Sequence, residues 1–120
     1  MNASDLHTNG AWLVVGLNTV VGIWALAAHR RPSLATREMW WATAIAQVAV
    51  LIQVTIGVIA LQADGVEATQ FHMFYGFIAI ASVGIIYSYR QQLEDQQYLL
   101  YGFGSLFIAG LGLRAIFLAG

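Results

Sequence analysis

The chain of 120 residues lacks cysteine and lysine, has one proline, and carries charged side chains at only 9% of its positions. The missing cysteine excludes disulfide bonds, thiolate catalysis, zinc–thiolate sites and covalent attachment of a c-type haem. Charged residues make up about 25% of an ordinary soluble protein, so this composition belongs to the membrane class. With no run of basic residues, the sequence also gives no basis for nucleic-acid binding.

Hydrophobic side chains make up 59% of the chain and are concentrated in four stretches. The stretches are 11–28, 39–61, 71–87 and 98–118. Each has the length of roughly 17–25 residues that a helix needs to cross a bilayer. The sequence therefore predicts an all-α membrane protein in which residues 1–120 form a single transmembrane domain. Because the connections are short, consecutive helices should be antiparallel, giving a four-helix bundle.

The arginines predict the orientation of this bundle. Three of them, Arg30, Arg31 and Arg37, lie between the first two stretches, and Arg90 lies between the last two. The other connection and the N-terminal segment contain no arginine. The positive-inside rule then places the arginine-bearing connections in the cytoplasm and both termini on the outer side of the membrane. We expect a multi-pass protein of a bacterial plasma membrane.

Small and polar residues within the stretches predict helix packing. The small-residue positions that we expect at helix contacts are Gly76, Gly84, Ser105, Ala109 and Gly112. Such residues let helix backbones approach closely in lipid, and the contacts would either hold the bundle together or dock another membrane subunit. Polar residues such as Asn18, Gln47 and Gln53 should face the bundle interior or a partner, where interhelical hydrogen bonds are the preferred role over ligand contact.

Arg114 is the one formal charge well inside a stretch. An arginine at mid-bilayer costs at least about 2.5–3.5 kcal/mol. Its position six residues before the last residue predicts a depth of about 9 Å below the outer end. Three roles are open for it: snorkelling to lipid phosphates, pairing with Asp64 or Glu67, and binding an anionic group of a ligand.

His7 and His72 form the one pair of residues that suggests a chemical role. Each precedes or opens an odd-numbered stretch, so both should lie at the outer boundary, in the same leaflet as Arg114. A b-type haem needs two imidazole ligands from different helices, small residues beside its flat ring and a cation near its propionates. Gly10 and Gly76 follow the two histidines. The alternative is that both are ordinary interfacial histidines, like His29.

Three stretches of the sequence resemble haem A synthase. Residues 52–61 are similar to the Gln-x-x-x-Gly helix of that family, through Gln53 and Gly57. The His-led segments 6–13 and 71–73 resemble the family's haem-ligand helices, and 110–114 resembles a Gly-x-x-Arg helix ending. The match corresponds to half of the eight-helix enzyme. The resemblance implies that His7 and His72 are candidate haem ligands, and Arg114 is then the candidate partner for the haem propionates.

The chain also departs from the family pattern. Thr8 stands where the family has an arginine after its histidine ligand, Ser4 stands where it has a glutamate tied to catalysis, and the paired cysteines are missing. The sequence therefore does not favour an enzyme that oxidises haem. It predicts a non-catalytic accessory subunit of a larger membrane complex, with lipids and other integral membrane subunits as partners. The resemblance implies that the host is a respiratory cytochrome assembly, such as a cytochrome bc–oxidase supercomplex. The alternative is a haem b protein for electron transfer or haem handling.

Overall fold

The computed structural model describes the backbone of residues 3–63 and 70–119, and the side chains of residues 6–60, 62 and 73–117. This part of the chain is helical apart from its connections. Its four α-helices are α1 (Ala3–Arg30), α2 (Arg37–Ala63), α3 (Gln70–Tyr89) and α4 (Gln97–Ala119). Short 3₁₀ turns at Pro32–Leu34 and Glu94–Gln96 precede α2 and α4. The predicted all-α class is confirmed for these residues.

Three of the described helices, α1, α2 and α4, are long and apolar enough to cross a membrane. The apolar part of α3, Met73–Tyr89, is shorter. Every predicted stretch lies inside one helix, but α1 begins at Ala3 instead of residue 11. Hydropathy marks where a helix meets lipid and not where its hydrogen bonds begin. The polar segment before residue 11 has no proline to stop the helix, so α1 extends through it.

Both arginine-bearing connections lie at the same end of the molecule. The Trp40 ring near the start of α2 is 5.7 Å from the Tyr98 ring and 5.1 Å from the Tyr101 ring, both near the start of α4. The turn before α2 is held by a hydrogen bond of 2.9 Å from Trp24 Nε1 to the carbonyl oxygen of Leu34. We call this end the arginine end and the opposite one, which contains His7, the histidine end.

The helices lie side by side along the long axis of the molecule. α1 has 28 residues and is therefore about 42 Å long, close to the longest molecular dimension of 47 Å. α1 and α4 form the most extensive contact; α2 packs on α1 and α3 packs on α4. Between their described residues, α2 and α3 contact each other only sparsely. Among the described residues, α2 and α3 therefore form the weakest contact between neighbouring helices of the bundle.

Glycines allow the close approach of α1 and α4. A Cβ atom on Gly22 would lie 2.8 Å from Leu106 Cγ and 3.0 Å from the carbonyl oxygen of Gly102. A Cβ atom on Gly102 would lie 2.6 Å from Leu26 Cδ2 and 3.1 Å from the Leu26 backbone nitrogen. Such distances are too short for carbon atoms, so side chains at these positions would push the two helices apart.

The polar residues within the spans are placed mainly inward. Asn18 is fully buried and donates from Nδ2 to the carbonyl oxygens of Val14, at 3.0 Å, and Ala46 on α2, at 3.4 Å. Buried Ser105 lies on α4. Asn18 Oδ1, Gln47 Nε2 and Ser105 Oγ have no hydrogen-bond partner among the described atoms. Among the described atoms, the bond to Ala46 is the one contact through which Asn18, Gln47 or Ser105 links two helices, so around these three residues packing contributes more than polar contacts.

Candidate functional site: a cavity at the histidine end

One cavity, with a volume of about 70 Å³, lies between the helices toward the histidine end. Its lining comes from all four helices. The lining residues are His7, Ala11, Val14, Val50, Gln53, Val54, Tyr75, Gly76, Ala79, Ile108, Leu111, Gly112, Ala115 and Ile116. Only three of these carry a polar side-chain group, so the cavity is apolar with a few polar atoms at one end.

His7 on α1 and Gln53 on α2 form a polar pair at the wall of the cavity. His7 Nδ1 lies 3.2 Å from the backbone carbonyl oxygen of Gln53 and 3.0 Å from Gln53 Nε2. The first contact needs a proton on Nδ1 and the second needs its lone pair, so one tautomer makes only one of them. Gln53 Nε2 also donates to the backbone carbonyl oxygen of His7. The pair thus joins α1 to α2 in either tautomer.

Two glycines make room for this pair. A Cβ atom on Gly57 would lie 2.7 Å from His7 Cε1, so the imidazole ring lies directly on the backbone of α2. A Cβ atom on Gly10 would overlap Gln53 Oε1. Each polar side chain therefore lies against a glycine of the opposite helix. The Gln53–Gly57 spacing noted in the sequence has a packing function here: one turn of α2 supplies the amide and the surface on which the histidine rests.

The predicted site residues are not all brought together. His7 lines the cavity and is half-buried. The side chain of His72 lies outside the described part of the chain; its backbone belongs to α3, one turn before Gly76, which lines the cavity. Arg114 is exposed and is absent from the lining, although its neighbour Ala115 contributes to it. Asp64 and Glu67, the expected partners of Arg114, lie outside the described residues.

The five predicted packing residues divide into two groups. Ser105 and Ala109 are buried, and a Cβ atom on Gly112 would lie 3.1 Å from Val15 Cγ2, so these positions of α4 face the interior. Gly76 and Gly84 have no described atom within 4 Å of such a Cβ. Gly76 lines the cavity, whereas Gly84 is exposed on the outside of α3.

Sequence reasoning identified His7 and Gln53 separately and missed their pairing. It also missed Gly102, the glycine that α1 approaches most closely, and the place of Tyr75 in the cavity wall. Gly102 lies three residues before Ser105, on the same face of α4 as the predicted packing residues, and this spacing was the available signal for a close helix contact. The position of Tyr75 carried no signal, because a tyrosine near a helix start also fits the aromatic belt of a membrane interface.

The cavity does not fit a haem. Pockets for small molecules and cofactors have volumes of about 300–1,000 Å³, whereas the described residues leave about 70 Å³. The imidazole of His7 also lies against Gly57 instead of facing an open slot. Placing a porphyrin between the helices would require them to separate. The described residues of this site therefore do not fit a haem, and ligation by His7 and His72 stays a prediction from the sequence.

A visible spectrum tests this conclusion directly. We expect the chain, expressed with haem available and purified in mild detergent, to show no b-type bands in a reduced-minus-oxidised spectrum, because the cavity is too small. His7→Ala and His72→Ala are the matched variants. Sharp bands that disappear in both variants would contradict the expectation and would establish the two histidines as ligands.

The described residues also do not bring three or more histidine, cysteine, aspartate or glutamate side chains into a group that could hold a metal ion. What the site offers is a narrow apolar space, a polar pair beside it, and contact with all four helices. No protein-family model matches this chain, and neither a curated protein nor a solved structure shows a significant match. The resemblance to haem A synthase thus depends only on the short motifs that carry it.

Proposed function

We propose that this protein is a non-catalytic accessory subunit of a larger membrane complex, with all four helices in the bilayer. α3 has 20 residues and is about 30 Å long, enough to cross the hydrocarbon core. Arg30, Arg31, Arg37 and Arg90 lie at or next to the connections of the arginine end. By the positive-inside rule this end faces the cytoplasm and both termini lie outside.

The observation that carries the proposal is a seam on the outside of α4. Its residues, spaced alternately by four and three, are Phe103, Phe107, Gly110, Arg114 and Phe117. The three phenylalanines are 62%, 55% and 66% exposed, and no described atom lies within 4 Å of a Cβ built on Gly110. A spacing of 3.5 residues keeps side chains on one side of a helix that packs along another helix.

This α4 seam is suited to a helix of another subunit. α4 lies between α1 and α3, and its buried residues face those two helices, so the seam is on the uncovered side. Lipid alone would explain exposed phenylalanines. The glycine between them forms a notch of the kind that lets a second helix approach closely in a membrane. An exposed Arg114 in the same row would favour an acidic or carbonyl-rich partner surface.

The host that we propose is a respiratory cytochrome assembly of a bacterial plasma membrane. Its support is the resemblance of the segments around His7, Gln53 and Arg114 to haem A synthase. A subunit of this kind needs no catalytic residues of its own. It would contribute a lipid-facing and partner-facing surface, and the catalytic cofactors would belong to the other subunits.

Copurification with matched glycine variants tests the proposal. We expect the tagged chain, purified from its native membranes in mild detergent, to carry stoichiometric partner subunits on a native gel. Gly110→Phe should lower the partner yield about tenfold, because it fills the notch of the α4 seam. Gly16→Phe is the control, since Gly16 on α1 is also exposed with no described atom within 4 Å of its Cβ.

Two results would contradict the proposal. One is wild-type protein that is always recovered without other subunits. The other is equal partner yield from the Gly110 and Gly16 variants, which would mean that the α4 seam faces only lipid. Identification of the recovered subunits by mass spectrometry then tests the respiratory host separately, because a stable complex with unrelated membrane proteins would overturn the host and keep the accessory role.

A further inference from the structure

Arg114 is a charged residue on the outside of the bundle, within a candidate membrane span. It belongs to the apolar span Glu94–Phe117 and lies five residues, or about 7.5 Å, before α4 ends at Ala119. Its side chain is exposed and does not line the cavity. Charged residues in membrane spans almost always face the bundle interior or a water-filled space, or pair with another charge. Since Arg114 faces neither the interior nor the cavity, we expect its counter-charge outside the described bundle.

The direction of side chains on a helix favours a partner helix over lipid phosphates. The Cα–Cβ bond of a helical residue tilts toward the N-terminus of its helix. Because α4 runs from the arginine end to the histidine end, the Cα–Cβ bond of Arg114 tilts toward the membrane interior and away from the nearer headgroups. A helical side chain covers the turn before its own Cα, which here contains Gly110. The guanidinium is therefore expected beside the glycine notch, where a second helix can approach closely.

A second copy of this chain does not fit the α4 seam. Copies inserted with the same orientation are related by a rotation about the membrane normal, so two α4 helices would run parallel and each seam residue would face its counterpart. The Arg114 guanidinium of one copy would then meet that of the other, and like charges repel strongly in a medium of low dielectric constant. A carboxylate removes this repulsion and matches the guanidinium, whose N–H groups can bind both of its oxygens.

We propose that the α4 seam binds a transmembrane helix of a different subunit, that this helix carries an aspartate or glutamate at the depth of the Gly110 notch, and that Arg114 pairs with its carboxylate. Phe107 and Phe117, exposed on the two sides of this position, pack against the partner and keep water from the ion pair. The inference rests on the proposed function, because it names the chemistry of the partner at the same surface. It also gives Arg114 a role in partner choice, since its charge prevents self-association through the seam.

Binding of designed transmembrane peptides tests the inference. The full chain and a leucine–alanine peptide with one glutamate at the depth of Gly110 are reconstituted in phosphatidylcholine vesicles at alkaline pH, and energy transfer between attached fluorophores reports their association. We expect the glutamate peptide to bind at least about tenfold more tightly than the same peptide with glutamine. Arg114→Gln should abolish this difference, and Arg114→Lys should keep most of it. Arg31→Gln, which removes an exposed arginine at the arginine end, is the matched control and should behave as the wild type.

Equal binding of the glutamate and glutamine peptides by the wild type would overturn the inference and would show that lipid phosphates or the chain itself satisfy the charge of Arg114. Copurification from native membranes separates this failure from that of the proposed function. We expect Arg114→Gln to lower the partner yield as Gly110→Phe does. If only Gly110→Phe lowers it, the seam binds a subunit without a carboxylate, and the inference is overturned while the accessory role stands. Recovery of the wild type without other subunits would instead overturn the accessory role itself.

Discussion

Gly102→Leu is expected to lower the free energy of unfolding by about 2–3 kcal/mol, at the upper end of the range for overpacked sites. A Cβ atom at this position would already lie 2.6 Å from Leu26 Cδ2 and 3.1 Å from the Leu26 backbone nitrogen. The Leu26 side chain can rotate away, but its backbone nitrogen cannot. The substitution therefore has to separate α1 from α4, the most extensive helix contact in the described fold.

The measurement is reversible unfolding in mixed micelles of mild detergent and dodecyl sulfate, followed by circular dichroism. Gly110→Leu makes the same chemical change on the same helix but meets no described atom within 4 Å. Its free energy of unfolding should stay within about 0.5 kcal/mol of the wild type. Equal destabilisation of the two variants would contradict the close α1–α4 contact and would instead indicate a general cost of leucine in this helix.

The same substitution should disturb the cavity at the histidine end. α1 contributes His7, Ala11 and Val14 to the lining, and α4 contributes the wall from Ile108 to Ile116. Gly22 and Gly102 do not line the cavity, but their contact determines how far apart α1 and α4 lie, and therefore how far apart these two walls are. Because these glycines set the distance between α1 and α4, a change at Gly102 should alter the width of the cavity although Gly102 does not line it.

The number and positions of the helices were predictable because they follow from the hydrophobicity of the sequence. Uninterrupted apolar stretches have to satisfy their backbone hydrogen bonds internally, and a helix is the simplest way to do so. All four predicted stretches lie within α1–α4. Their ends were less predictable. α1 continues to Ala3 through polar residues, which the hydropathy pattern counts as outside the membrane although they are helical.

The arrangement of the helices around one another was the part that the sequence did not predict. In an amphipathic helix the polar face indicates which side is exposed, but these helices are apolar on nearly every side. Gly84 and Ser105 both look like packing residues, yet Gly84 is exposed and Ser105 is fully buried. The pairing of His7 with Gln53 likewise depends on the register of α1 against α2, which is set by side-chain packing over their whole length.

The His7–Gln53 pair should make a measurable contribution to the stability of the bundle. Gln53 Nε2 donates to the His7 backbone and lies 3.0 Å from Nδ1 of its ring. Hydrogen bonds between membrane helices contribute about 0.6 kcal/mol on average and up to about 1.7 kcal/mol. Because two contacts share one amide and both partners lie on glycines, we expect a coupling energy between the two side chains of about 1 kcal/mol.

A double-mutant cycle measures this coupling with His7→Ala, Gln53→Ala and the double variant in the same unfolding assay. The backbone contact of Gln53 survives His7→Ala, so the cycle isolates the ring contact and its packing. Thr55→Ala is the matched control on α2, since Thr55 is exposed and donates to Leu51 of its own helix at 2.9 Å. Its effect should add to that of His7→Ala within about 0.3–0.5 kcal/mol. Additive effects of His7→Ala and Gln53→Ala would show that the histidine ring does not couple to the Gln53 side chain, whose role would then reduce to its bond with the His7 backbone; the ring contact with the Gln53 backbone carbonyl is present with and without the Gln53 side chain and does not enter the cycle.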